Sequence, residues 1–168
     1  MAKTKVKRLD RKLKNIDWKL LVVCMFVSFF VAYIGSGFTV IDDWYYAVKP
    51  SITPPTIVFP IVWTILFFLI GLAFYFSYRA CDLKKQNKMG ALFTINFIFN
   101  IGWSFFYFTM HSPTSALAVI FLLIASILSL IMVNWKKARI ASYLLIPYLV
   151  WVCFAAILNF LTILNVMK

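Results

Sequence analysis

Apolar and polar positions are segregated into long blocks along this chain, and the apolar blocks have the length of membrane-spanning helices. A helix needs about 20 predominantly apolar residues to cross the hydrocarbon core of a bilayer. Five runs of that length are separated by short polar or basic segments: 20–40, 56–78, 91–110, 114–134 and 142–166. The pattern predicts an all-α fold, an integral membrane bundle of five transmembrane helices, with residues 1–19 as a basic tail and 20–168 as one membrane domain.

The distribution of positive charge predicts how this bundle is oriented. The chain has a net charge of +12, and eight Lys and Arg lie in the tail, four in the second connector and three in the fourth. Only Lys49 and Lys168 fall on the other side. Basic residues are retained on the cytoplasmic side, so we expect a multi-pass membrane protein with a cytoplasmic amino terminus. The charge then indicates membrane lipid as a partner and no nucleic acid.

The first connector, 41–55, is unusually aromatic and rich in proline. Asp42 and Asp43 are suited to cap a short helix through Val48, which Lys49-Pro50 then ends. The connector also contains several aromatic residues and prolines, among them Trp44, Tyr45, Tyr46, Pro54 and Pro55. The connector is therefore predicted to be a structured extramembrane loop that lies over a ligand pocket among the helices.

One polar stripe runs along the third span. Asn96, Asn100, Trp103 and Tyr107 follow one another at spacings of four, three and four, so they share a helical face. An amide in hydrocarbon is costly unless it is hydrogen-bonded. The stripe is therefore predicted to face protein, water or ligand. For the two asparagines alone, hydrogen bonding between helices is favoured over ligand contact.

The tryptophans fall into two groups, at the predicted membrane interfaces and inside the predicted spans. Trp18, Trp44 and Trp135 fall at predicted interfaces, where such residues are ordinary; Trp63, Trp103 and Trp151 lie inside three different spans. Three indoles in the outer half of the membrane are consistent with a flat-walled cavity and, equally, with an aromatic core. Their placement alone leaves both interpretations open.

Several chemistries are disfavoured by the sequence. No acidic, basic or histidine residue lies in the middle of a predicted span, so proton relays and ion-coupling sites are not expected. His111 is predicted to be a turn residue and not a haem ligand, and the cysteines have no metal-ligand spacing. Ser28, Ala32 and Ser36, at four-residue spacing, indicate close helix packing within the chain or in a homodimer.

Taken together in order and spacing, a set of fragments resembles the TspO/MBR family, which includes tryptophan-rich sensory proteins and the translocator protein. The fragments that carry the resemblance are Trp44-Tyr45, Lys49-Pro50, Pro54-Pro55, Phe59-Pro60, Val62-Trp63-Thr64, Asn100, Trp103-Ser104, Phe106, Pro147-Tyr148-x-x-Trp151-x-x-Phe154-Ala155 and Leu158-Asn159.

The resemblance implies a five-helix bundle of a bacterial cell membrane, often dimeric, that binds porphyrins such as protoporphyrin IX and haem, with no required cofactor and no protein metal site. By position it implies nine ligand-binding residues: Tyr45, Pro54, Trp63, Phe67, Asn96, Asn100, Trp103, Trp151 and Ala155. It leaves two alternatives to a binding and sensory role. One is light-dependent porphyrin degradation with Trp63 and Trp151 as electron-rich partners, and the other is transport of porphyrin or lipid.

The cholesterol motif of animal members of that family is incomplete in this chain. Phe160 stands where the motif has tyrosine, and no basic residue follows before Lys168. Leu72, Tyr75 and Arg79 fit a loose version of the motif elsewhere. Sterol binding at the usual place is therefore not expected.

Overall fold

The computed structural model describes residues 16–167, with the backbone alone at 83 and 84, and this part of the chain is helical throughout its regular structure. Five helices are long and apolar enough to cross a membrane, as the hydrophobic pattern predicted. The helices are α1 (Trp18–Gly37), α2 (Asp43–Val48), α3 (Val58–Ala80), α4 (Leu83–Ser104), α5 (Pro113–Trp135) and α6 (Arg139–Val166), with a π-helical segment (Phe105–Thr109) continuing α4. The tail before residue 16, which was predicted to be basic and cytoplasmic, lies outside the described residues.

The third long helix begins earlier than its apolar run. α4 starts at Leu83, whereas the predicted span starts at 91. Its first turns carry Lys85 and Lys88, which are exposed. Lysine is a good helix former, so the helix extends past the apolar run on the strength of its polar residues, which hydropathy alone does not detect.

The short helix in the first connector forms as predicted. Asp42 is its N-cap, in an extended conformation, and its Oδ1 accepts a hydrogen bond from the Tyr45 amide at 3.0 Å. The helix ends at Val48, before Lys49-Pro50. We call residues 38–57, which connect α1 to α3 and include α2, the lid; the lid end of the bundle is the end that carries it, and the basic end is the opposite one.

The five long helices form a closed ring. In spatial order they are α1, α3, α6, α5 and α4, and α4 returns to contact α1. The contact between α1 and α3 is close because small residues face each other there. The Ser28 hydroxyl donates to the Phe67 carbonyl at 2.7 Å, and a Cβ added at Gly71 would lie 2.6 Å from Met25 Sδ. Ser28, from the predicted small-residue stripe, thus packs within the chain.

Tyr75, in the loose sterol motif, faces inward at the basic end. It is 2% exposed, and its hydroxyl accepts hydrogen bonds from the Asp17 amide at 3.0 Å and from Arg79 Nη1 at 2.7 Å. The tyrosine therefore links the start of α1 to α3 and does not present its ring to lipid.

Candidate functional site

A cavity of about 720 Å³ occupies the lid half of the bundle. The lid and the helices α1, α3, α4 and α6 contribute its walls, and every side chain that lines it within the described part of the chain is uncharged. Pockets for small molecules usually have volumes of about 300–1,000 Å³ and mostly apolar walls. The cavity has the size and lining of a site for an apolar molecule with a few polar groups.

Two indoles from different helices form one wall. Trp63 of α3 and Trp103 of α4 have ring centroids 6.1 Å apart with an interplanar angle of 33°. Trp63 also contacts Phe67 at 5.7 Å and Tyr148 at 6.2 Å between ring centroids. Among the described hydrogen bonds, none uses the Trp63 indole N–H, and Trp63 lines the cavity.

Trp103 is held in place by a hydrogen bond to the last helix. Its Nε1 donates to Asn159 Oδ1 at 3.2 Å, and Asn159 Nδ2 donates in turn to the Pro113 carbonyl at 2.7 Å. Asn159 is 1% exposed, so a single buried side-chain amide on α6 links α4 to the start of α5. Asn159 belongs to one of the fragments that carry the family resemblance, but it is not among the nine residues expected to bind a ligand.

The π-helical segment continues this wall toward the lid end. A π turn adds one residue to the helical repeat and is frequent at functional sites. It carries Tyr107 and Phe108, both buried and both on the cavity wall. The Tyr107 and Thr162 hydroxyls are hydrogen-bonded at 2.9 Å, which ties this segment to α6.

The polar stripe of α4 serves two purposes. Asn96 lies behind the wall, where its Nδ2 donates to Ser126 Oγ at 2.8 Å and its Oδ1 accepts from the Tyr148 hydroxyl at 3.3 Å. Asn100 lines the cavity and donates through Nδ2 to Tyr148 Oη at 3.0 Å. Asn96 therefore links helices, whereas Asn100 is on the cavity wall and no described hydrogen bond uses its side-chain carbonyl.

The lid closes the cavity with a tyrosine. Tyr45 is 5% exposed, lines the cavity and packs on Phe108 at 6.0 Å between ring centroids. Burial raises the pKa of the Tyr45 phenol, and the neighbouring Tyr46 raises it further. The phenol therefore stays neutral and able to donate a hydrogen bond over a wide pH range.

Contacts at both ends of α2 attach the lid to the rest of the bundle. Asp42 Oδ2 lies 3.0 Å from His111 Nε2, and the Trp44 indole stacks on the His111 ring at 4.4 Å and 18°. At the other end of α2, Asn165 Nδ2 donates to the Val48 carbonyl at 3.1 Å. His111 has a φ of 48°, a left-handed turn conformation that aims its ring back at the lid.

Six of the nine residues expected to bind a ligand lie on the cavity wall: Tyr45, Trp63, Phe67, Asn100, Trp103 and Ala155. The other three, Pro54, Asn96 and Trp151, are not part of it. Trp151 packs on Phe59, a wall residue, at 5.8 Å between ring centroids, and its buried indole N–H has no hydrogen-bond partner among the described residues. The expected wall of three indoles therefore consists of two, with Trp151 behind Phe59. That any of the nine binds a ligand stays a prediction.

The fold and cavity together define a multi-pass helical membrane protein with a covered pocket in one half of the bundle. Comparison with known proteins identifies the family, because the TspO/MBR family model matches residues 19–164. The chain belongs to the TspO/MBR family, as its motifs suggested.

Relatives from distant organisms match over most of their length. The tryptophan-rich protein TspO of Chlorobaculum tepidum is 41% identical, with 83% of this chain and 91% of the relative covered. That of Archaeoglobus fulgidus is 34% identical, with 83% and 92% covered. The tryptophan-rich sensory protein of Cereibacter sphaeroides is 31% identical, with 87% and 90% covered.

Proposed function

We propose that this chain is a membrane-embedded binding and sensory protein for tetrapyrroles such as protoporphyrin IX and haem, and for similar flat apolar ligands. The observation that carries the proposal is the pair of indoles, Trp63 and Trp103, on the wall of an uncharged cavity of about 720 Å³ beneath the lid. Aromatic rings contribute large apolar contact area and favour offset stacking. A flat aromatic macrocycle fits both properties.

The polar groups of the cavity suggest how such a ligand is oriented. The Trp63 N–H and the Asn100 carbonyl offer one donor and one acceptor, which suit pyrrole nitrogens and ring substituents. Carboxylates are not expected inside, because a charge without a partner is costly to bury. The propionates would point to the lid end, where Lys49 is exposed with its Nζ 4.9 Å from the Tyr46 ring centroid.

The test is a titration of the purified protein with protoporphyrin IX in the dark, followed by the porphyrin absorbance. Trp63→Leu removes a stacking surface on the cavity wall, worth about 1–2 kcal/mol, so Kd should rise about 5- to 30-fold. Trp135→Leu is the matched control, because Trp135 is 44% exposed at the basic end. Equal Kd values for wild type and Trp63→Leu would contradict the proposed cavity.

The same samples address the two alternatives. For light-dependent degradation, with dioxygen as oxidant, porphyrin loss under illumination in air should exceed that in argon, in the dark and in Trp63→Leu. For transport, reconstituted protein should accelerate porphyrin flux across vesicles. Saturable binding with neither porphyrin loss nor flux supports the binding and sensory role.

A further inference from the structure

The cavity has an opening on the side of the bundle, between α1 and α3. Several residues line the cavity and are also exposed on the outer surface. On α1 these include Phe29, 40% exposed, and Tyr33, 74% exposed, and at the end of the lid, directly before α3, they include Ile57, 65% exposed. Pro60 and Thr64 are exposed wall residues as well. Residues on both sides of a gap between α1 and α3 are thus exposed and also line the cavity.

The described hydrogen bonds between α1 and α3 lie away from this gap. The Ser28–Phe67 hydrogen bond, at 2.7 Å, is in the middle of the bundle, and the Asp17–Tyr75 bond, at 3.0 Å, is at the basic end. Within the described residues no hydrogen bond joins the two helices in the lid half. Hydrogen bonds therefore join α1 and α3 from the middle of the bundle to the basic end. In the lid half, residues of both helices line the cavity.

The opening lies at the depth of lipid acyl chains. With a rise of about 1.5 Å per residue, Phe29 is about 12 Å and Tyr33 about 6 Å from the end of α1 at Gly37. Thr64 is about 9 Å from the start of α3 at Val58. Half of a hydrocarbon core is about 15 Å thick, so a molecule at this opening meets hydrocarbon and not water.

The water-facing side is closed by comparison. Tyr45 and Pro50 of the lid are buried, and the lid is held by the Asp42–His111 contact and the Asn165–Val48 hydrogen bond. The lateral opening nevertheless extends up to the lid, because Ile41 is 44% exposed and lines the cavity. An opening of this shape allows a ligand to pass between α1 and α3 while its charged groups remain at the membrane surface.

We propose that ligands enter and leave this cavity from the bilayer, between α1 and α3, with Tyr33 and Thr64 at the entrance. The ligand class is then an amphiphile that reaches the protein already dissolved in lipid, with a flat apolar body and charged groups at one edge. The proposal rests on the proposed function of the cavity and adds the route by which it is filled.

The test measures association and dissociation rates of protoporphyrin IX with the protein reconstituted in vesicles, followed by porphyrin absorbance. Thr64→Trp narrows the entrance and should slow both rates about tenfold while Kd changes much less, the pattern of a barrier on the route. Tyr33→Ala widens it and should speed both rates. Ile65→Trp is the matched control, because Ile65 is 55% exposed and is not on the cavity wall.

A lid variant separates this route from entry through water. His111→Gly removes a lid contact and should leave both rates unchanged. Faster rates in His111→Gly, together with unchanged rates in Thr64→Trp and Tyr33→Ala, would overturn the lateral route. So would a Thr64→Trp effect on Kd without any effect on the association rate. If Thr64→Trp does not fold, Tyr33→Ala decides alone.

The outcomes also separate this proposal from the proposed function. Wild-type protein that binds no protoporphyrin contradicts the function itself. Wild-type protein that binds it in a Trp63-dependent way, with rates insensitive to both entrance variants, refutes only the route.

Discussion

Asn159 shows how a single buried side chain fixes the geometry of the cavity wall. It accepts from Trp103 at 3.2 Å and donates to the Pro113 carbonyl at 2.7 Å. A buried polar group that loses its partner costs about 1–3 kcal/mol. The orientation of the Trp103 indole on the cavity wall therefore depends on a residue of α6 and on a backbone carbonyl at the start of α5.

Asn159→Ala should lower the free energy of unfolding by about 1–3 kcal/mol, because the Trp103 N–H and the Pro113 carbonyl lose their partner. Thermal unfolding in detergent measures the effect, and the tryptophan emission of the folded variant reports the change around Trp103. Asn87→Ala is the control, since Asn87 is exposed and such surface changes stay within about 0.5 kcal/mol. Equal stability of the two variants would mean that Asn159 does not hold the wall.

At the scale of elements, the lid is a short helix that depends on tertiary contacts. A helix of six residues is far too short to be stable alone. The Asp42 side chain accepts from the Tyr45 amide, Trp44 stacks on His111, and the Val48 carbonyl accepts from Asn165. Its stability therefore depends on the turn between α4 and α5 and on the end of α6, in addition to its own N-cap.

His111→Gly removes the ring that contacts Asp42 and Trp44 and keeps a residue suited to the left-handed turn. Loss of one or two kcal/mol from the closed lid should speed hydrogen exchange of the α2 amides about 5- to 30-fold. Exchange measured by mass spectrometry should change little in α5. Ser129→Ala is the control, because Ser129 is exposed and bonds only to its own helix. Unchanged exchange in α2 would show that His111 does not hold the lid.

At the scale of the whole molecule, the two ends of the bundle differ in structure and in charge. The lid and cavity lie at one end, while exposed basic residues such as Lys136, Lys137 and Arg139 lie at the other, and Lys49 is at the lid end. Basic residues are retained in the cytoplasm during insertion. We propose that the basic end is cytoplasmic and that the lid and cavity belong to the opposite leaflet.

This orientation predicts which engineered cysteines a membrane-impermeant maleimide can reach in intact cells. In a Cys153→Ser background, Ser51→Cys at the lid end should be labelled, since Ser51 is exposed. Lys136→Cys at the basic end should be labelled only after the membrane is permeabilised. The reverse pattern would invert the orientation and place the cavity in the cytoplasmic leaflet.

The sequence predicted much of this fold because membrane helices obey a strong local rule. Hydrocarbon forces each span to satisfy its own backbone, so apolar length alone marks the helices. The α2 helix was predictable as well, because Asp42 and Lys49-Pro50 act on their immediate neighbours. The early start of α4 at Leu83 was not, since a polar helix outside the membrane leaves no hydropathy signal.

The sequence by itself determined the number of helices, the family and the residue types available to the cavity. The tertiary structure decided which of them share its wall. Asn96 and Asn100 lie on the same stripe, yet one bonds to Ser126 and the other lines the cavity. Trp151 looked equivalent to Trp63 but lies behind Phe59. The reason is physical: helical periodicity gives each residue its side of the helix, while the packing of neighbouring helices decides what that side meets.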